Sequence, residues 1–149
     1  MALTKVTAGM TVGVVTLTET QTLTNKTLTS PTLTAATLTS ATLTSPTFIG
    51  TAIEDVYVLS GTSASLEPDN GSVQTHTLSG NTTYSDGFSA GEAITLMIDD
   101  GTARTITWPT MTWVNNGAAA PTLATTGYTV IAIWKVSTTL YGALVGDGS

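Results

Sequence analysis

The side chains able to do chemistry in this 149-residue chain are few: one histidine, no cysteine, and ten Asp and Glu against four Lys and Arg. His76 alone cannot supply the two or three imidazoles of a common catalytic metal site, and any Ser-His-Asp triad would have to use it. It lies in a Thr-rich strand pattern with no Gly-x-Ser-x-Gly elbow anywhere, so a surface or inter-chain histidine is expected. Glu54-Asp55 and Asp99-Asp100 are adjacent carboxylates, and glycosidases do use carboxylate pairs. Successive strand residues point to opposite faces, however, and Asp100-Gly101 reads as a hairpin turn. The run Glu67-Pro68-Asp69-Asn70-Gly71 lacks the full set of oxygen ligands of a calcium loop and is expected to be a connecting loop. Gly87 to Gly91 carries two glycines but nothing that calls for a phosphate. Trp108, Trp113 and Trp134 could stack on sugars, yet with nine aromatics in the chain at least two are expected in a core. No metal, no cofactor and no enzymatic activity are expected.

Charge excludes further classes. Lys5, Lys26, Arg104 and Lys135 are scattered in a chain of net charge -6, so no basic patch faces nucleic acid or anionic lipid. No apolar run approaches the roughly 18 residues of a spanning helix, and the start is not followed by a signal-peptide core. A soluble chain without an export signal is the expectation.

The elements that must position these groups fall into two materials. Residues 1–56 carry two lysines and three acids, and residues 57–149 carry two bases, seven acids, all three tryptophans and all four tyrosines. A conventional core is therefore expected only in the second part. In the first, 18 of the chain's 35 threonines accompany an apolar residue that returns every five positions: Leu23, Leu28, Leu33, Leu38, Leu43, Phe48 and Ile53. An odd period throws successive leucines to opposite faces of a straight strand, and a five-residue step on a helix scatters them around the axis. Only a backbone that turns a corner about once per pentad keeps them on one inside. Pro31 and Pro46, two before the apolar residue, suit such a corner. So few apolar anchors do not offset the ordering of this many residues, which points to burial against other copies, with three interwound chains the commonest closed solution. Ice binding would need a wide flat threonine array, which short rows wound about an axis do not form. A mucin-like stalk would not need phased leucines.

Residues 57–149 read as all-β. Ile94, Leu96 and Ile98 alternate with Thr95, Met97 and Asp99, Asp100-Gly101 turns, and Arg104 to Trp108 alternates back, which predicts a hairpin. Tyr128 to Val136 forms a strand with Tyr128, Val130, Ala132, Trp134 and Val136 on one face and Ile131 and Ile133 on the other, which suggests cover on both sides. Leu140 to Val145 returns from it. Val73 to Ser79 and Tyr57 to Ser60 are further strands. A small β-sandwich or barrel is expected.

The opening MALTKVT with QTLTNKTLTSPTLT resembles the N-terminal and stalk segments of tailed-bacteriophage virion proteins, notably fibre-like structural proteins of cyanophages and marine phages. LMIDDGTARTITWPTMTWV, TLATTGYTVIAIWKV and TTLYGALVGD resemble the β domain that closes many of them. Such families are as a rule trimeric and non-enzymatic. The resemblance implies an N-terminal attachment arm (1–20), an interwound pentad-repeat β stalk (21–56) and a C-terminal knob (57–149). At this length a capsid decoration, cement or short head-fibre protein fits better than a long tail fibre. On that reading Val6, Met10, Val12, Val14 and Val15 bind the major capsid protein, and the homotrimer sits on the capsid surface of the virion. The alternative is a short tail fibre or adaptor whose knob binds host surface glycan.

Overall fold

A computed structural model describes residues 24–25, 27–99, 104–114 and 118–148. The protein is all-β. The chain divides into two compact units, Met1–Pro46 and Thr47–Ser149.

In the first unit, the strands expected of a β stalk do not form: the described part of the repeat contains neither helix nor strand but a bend in every pentad, because a corner every five residues leaves no straight run long enough to pair. Asn25, Ser30, Ala35, Ser40 and Ser45 all have left-handed backbone, with φ between 49° and 55°. Each lies two residues after the apolar position of its pentad, and this is the corner that a five-residue period requires. Left-handed φ is costly for residues other than Gly and Asn, so its recurrence at Ser and Ala marks a conformation imposed by the repeat. Leu28, Leu33, Leu38 and Leu43 remain between 53 and 60% exposed. Leu23 lies outside the described residues.

The second unit holds β1 (Val56–Leu59), β2 (Ser63–Leu66), a 3₁₀ turn (Pro68–Asn70), β3 (Val73–Thr77), β4 (Thr82–Asp86), β5 (Ala93–Asp99), β6 (Ile106–Thr107), β7 (Thr112–Trp113), β8 (Tyr128–Val136) and β9 (Thr139–Asp147). They form a six-stranded sheet, β1-β3-β5-β8-β9-β7, and a three-stranded sheet, β2-β4-β6, both open. Within them β1, β3 and β5 pair in parallel, and so do β2, β4 and β6. The chain thus makes three rungs, β1-β2, β3-β4 and β5-β6, each placing its first strand in the larger sheet and its second in the smaller. Hydrogen bonds carry the stacking through the turns: Thr83 N–H donates to Thr62 O at 2.9 Å, and Thr82 N–H to Thr105 O at 3.0 Å. Asn81 Oδ1 accepts from Thr105 N–H at 3.0 Å. Gly61 makes the first turn with φ 81°, a conformation that disfavours a side chain.

The expected hairpin across Asp100-Gly101 does not form. The alternation of Ile94, Leu96 and Ile98 is real and all three are buried, but β5 pairs with β3 and, antiparallel, with β8, while β6 joins β4 in the other sheet. Parallel rungs need a crossover rather than a tight return. The antiparallel pair β8-β9 then closes the third rung along the larger sheet, and β7 pairs in parallel with β9.

One core lies between the rungs, from Leu59, Leu66, Leu78, Tyr84, Phe88, Ile94, Leu96, Ile98, Ile131, Ile133 and Leu140 to Trp113. Gly142 opposes Trp113 in the ladder because a Cβ there would lie 2.8 Å from the indole ring and 2.5 Å from Met111 Cε. Lys135 Nζ ties β8 to β4 by donating to Asp86 Oδ2 at 2.7 Å and to Phe88 O at 2.9 Å. Burial pushes the Asp86 carboxyl up, but the Lys135 bond, the Phe88 amide and the lysine charge outweigh it, so its pKa falls below the ordinary value.

Candidate functional site

The groups singled out for their chemistry are used structurally. His76 is fully buried on β3, not at the surface or between chains as its Thr-rich setting suggested. Its Nε2 lies 3.1 Å from Gly61 O, which can only accept, so Nε2 carries the proton. Nδ1 is then the acceptor for the Tyr84 hydroxyl at 2.7 Å. Burial lowers the His76 pKa, the Gly61 bond opposing it, and burial raises that of Tyr84, so a neutral ring faces a protonated phenol. Tyr84, Trp108 and Trp113 continue the contact, with centroids 5.3 and 5.1 Å apart. Of the two or more tryptophans expected in the core, Trp113 is buried and Trp108 is half-buried against it.

Glu67 to Gly71 is a turn. Asn70 N–H donates to Glu67 O at 3.0 Å, and Gln74 Nε2 donates to Glu67 O at 2.7 Å and Gly71 O at 3.1 Å. Ser65 Oγ donates to the Glu67 carboxylate at 2.5 Å. Gln74 Oε1 is buried without a partner. Asp99 ends β5, and Asp100 lies outside the described residues. Among the described residues no group of three or more His, Asp or Glu could hold a metal, and no helix is long and apolar enough to cross a membrane.

Two surfaces remain. The first is the apolar series of the repeat: beyond its half-exposed leucines, Phe48 is 71% and Ile53 94% exposed. The second is the outer face of the six-stranded sheet, which in-register pairing assembles into rows. One row runs Val56, Val73, Thr95, Ala132 and Ala143; the next runs Val58, Thr75, Met97 and Val130. Trp134 stands beside Ala93 and stacks on Tyr141, centroids 5.8 Å apart with an interplanar angle of 13°. An open groove of about 330 Å³ at this end is lined by Glu54, Ser72, Thr95 and Trp134, among others. There Ser72 Oγ donates to the Glu54 carboxylate.

The proposed arm residues Val6, Met10, Val12, Val14 and Val15 lie outside the described residues. Leu28, Leu33, Leu38 and Leu43 share one pentad phase, as the sequence spacing requires. The outer sheet face was only half legible: the alternation in β8 displays its apolar side, but the neighbours that extend it on β1, β3 and β5 come from pairings with no local sequence signal.

No known protein family, no characterised protein and no solved structure matches this chain. The likeness to phage virion proteins rests on the sequence motifs alone.

Proposed function

We propose that this chain is a structural protein that works by assembling with copies of itself. The supporting observation is the repeat: left-handed corners recur every five residues while its leucines stay more than half exposed. A periodic backbone that displays its leucines is suited to be wound against other chains, and a three-chain arrangement is the proposed form. The engagement of both His76 ring nitrogens in the core supports a structural rather than catalytic use of the sole histidine.

Following the sequence resemblance, the assembly is proposed to be a capsid decoration or head-fibre protein of a tailed phage, held on the capsid surface by residues 1–20. Three arms on one assembly would multiply weak contacts with the major capsid protein into stable attachment. Sedimentation of the full chain tests the first part, with a mass of three chains expected; a monomer at all concentrations refutes it. Co-sedimentation with phage heads tests the second. Deleting residues 1–20 should leave an oligomer that no longer binds heads, and retained binding refutes the arm.

The groove beside Trp134, with its Glu54, Ser72 and Thr95 oxygens, favours a second reading, a short tail fibre or adaptor that binds host glycan. Glycan-array binding that disappears in Trp134→Ala would establish it.

A further inference from the structure

We infer that the outer face of the six-stranded sheet is a packing surface for further copies of this chain, an inference that rests on the self-assembly proposed for the repeat. A sheet with one face in water alternates apolar and polar residues, whereas one buried on both faces carries apolar residues at nearly every position. β8 reads Val130-Ile131-Ala132-Ile133-Trp134 and follows the second pattern, yet among the described residues Val130, Ala132 and Trp134 on its other side are only half-buried. Ile131 and Ile133 have no exposed surface. On the opposite side of the sheet, Val56, Val58 and Val136 stand 60, 70 and 56% exposed. The cover on both sides expected from the alternation is thus half supplied among the described residues.

Charge and size select the occupant. The rows across the face hold no charged side chain; Asp99 stands at the end of β5 on one rim and Glu54 lines the groove on another. Copies of a chain with net charge -6 repel one another over most approaches, so a neutral face is where they can meet. Five strands about 4.8 Å apart and roughly 15 to 20 Å long present on the order of 400 Å², about half of the ~800 Å² per partner of a stable interface. A second copy meets this face with one equally free of charge, and Leu28, Leu33, Leu38 and Leu43 of the repeat give the same chain separate apolar surface for assembly. A glycan fits the face poorly, because a sugar site needs several converging polar groups and the middle of these rows offers only the Thr75 and Thr95 hydroxyls.

Met97, central in its row, is the reporter. In the full-length wild-type protein, hydroxyl-radical footprinting read by mass spectrometry should show Met97 oxidised at least 10-fold more slowly than in the Leu33→Asp/Leu38→Asp variant, whose assembly through the repeat is broken. Met97→Lys, read by sedimentation equilibrium, should raise the dissociation constant about 100-fold, since it buries an unpaired charge. An oligomeric wild type in which Met97 oxidises as fast as in the dissociated variant overturns the sheet-face inference and leaves assembly through the repeat standing. A wild type that is monomeric throughout overturns both. Monomers whose Met97 is protected only by added glycan overturn the choice of occupant. Because the footprint does not use Met97→Lys, it decides the matter even where that variant fails to fold.

Discussion

Tyr84→Phe isolates the bond that ties His76 on β3 to β4 within the second rung. The substitution keeps the ring and its contacts and removes only the hydroxyl that donates to Nδ1 at 2.7 Å. A buried acceptor is left without a donor, which costs about 1–3 kcal/mol. With a urea m-value of about 1–3 kcal/mol/M, the unfolding midpoint should fall by roughly 1 M at pH 8. The pH dependence sharpens the test. In the unfolded chain the imidazole titrates near 6.5, and burial lowers it in the folded protein. Stability from this group is therefore complete above pH 6.5 and is lost as pH falls from there through the lower folded value, at up to about 1.4 kcal/mol per pH unit. The Tyr84 hydroxyl favours the neutral ring, so removing it moves the folded pKa back toward 6.5 and shrinks the acid loss. The gap between wild type and Tyr84→Phe should thus be widest above pH 7 and narrow toward about pH 5. Urea titrations followed by the fluorescence of Trp108 and Trp113, at one chain concentration, read both effects. Superimposable curves at pH 8, or a gap that does not change with pH, would refute the assigned tautomer and hydrogen bond.

Other consequences follow from backbone and packing. Ala35 holds φ 52° without the freedom of glycine, so Ala35→Gly should stabilise the repeat by about 0.5–1 kcal/mol, whereas Ala36→Gly should not. Thermal melts of the full chain at fixed concentration measure the difference, and equal effects at both positions would contradict the corner. Gly142→Val drives side-chain atoms into the Trp113 ring and should cost about 1–3 kcal/mol. Denaturant unfolding gives the loss, and a red-shifted tryptophan emission in the native baseline would show the indole displaced; unchanged stability would mean that Trp113 does not pack there.

How much was legible in the sequence depends on the range of the interaction. Strands β8 and β9 could be read because alternation is a property of consecutive residues. The face of β5 that carries Ile94, Leu96 and Ile98 was equally plain. Its partner was not: Asp100-Gly101 carries a strong local turn signal, yet β5 finds β3 and β8, and β6 finds β4. Of the candidate site, the leucine phase was visible, while the groove beside Trp134 depends on Glu54 and Ser72 arriving from other rungs.

By itself the sequence determined the five-residue corner, since the phase of Leu28 to Leu43 permits no straight element and the left-handed residues at Ser30, Ala35, Ser40 and Ser45 keep that phase. It also determined the all-β character. Only the tertiary structure decided that the strands stack as parallel rungs, that His76 is a core residue, and which residues line the outer sheet face. The reason is physical: Val56 pairs with Val73 and Val73 with Thr95, and a backbone ladder offers similar hydrogen bonds to any strand that reaches it. Choosing among such partners is left to packing between residues far apart in the chain, which no local pattern encodes.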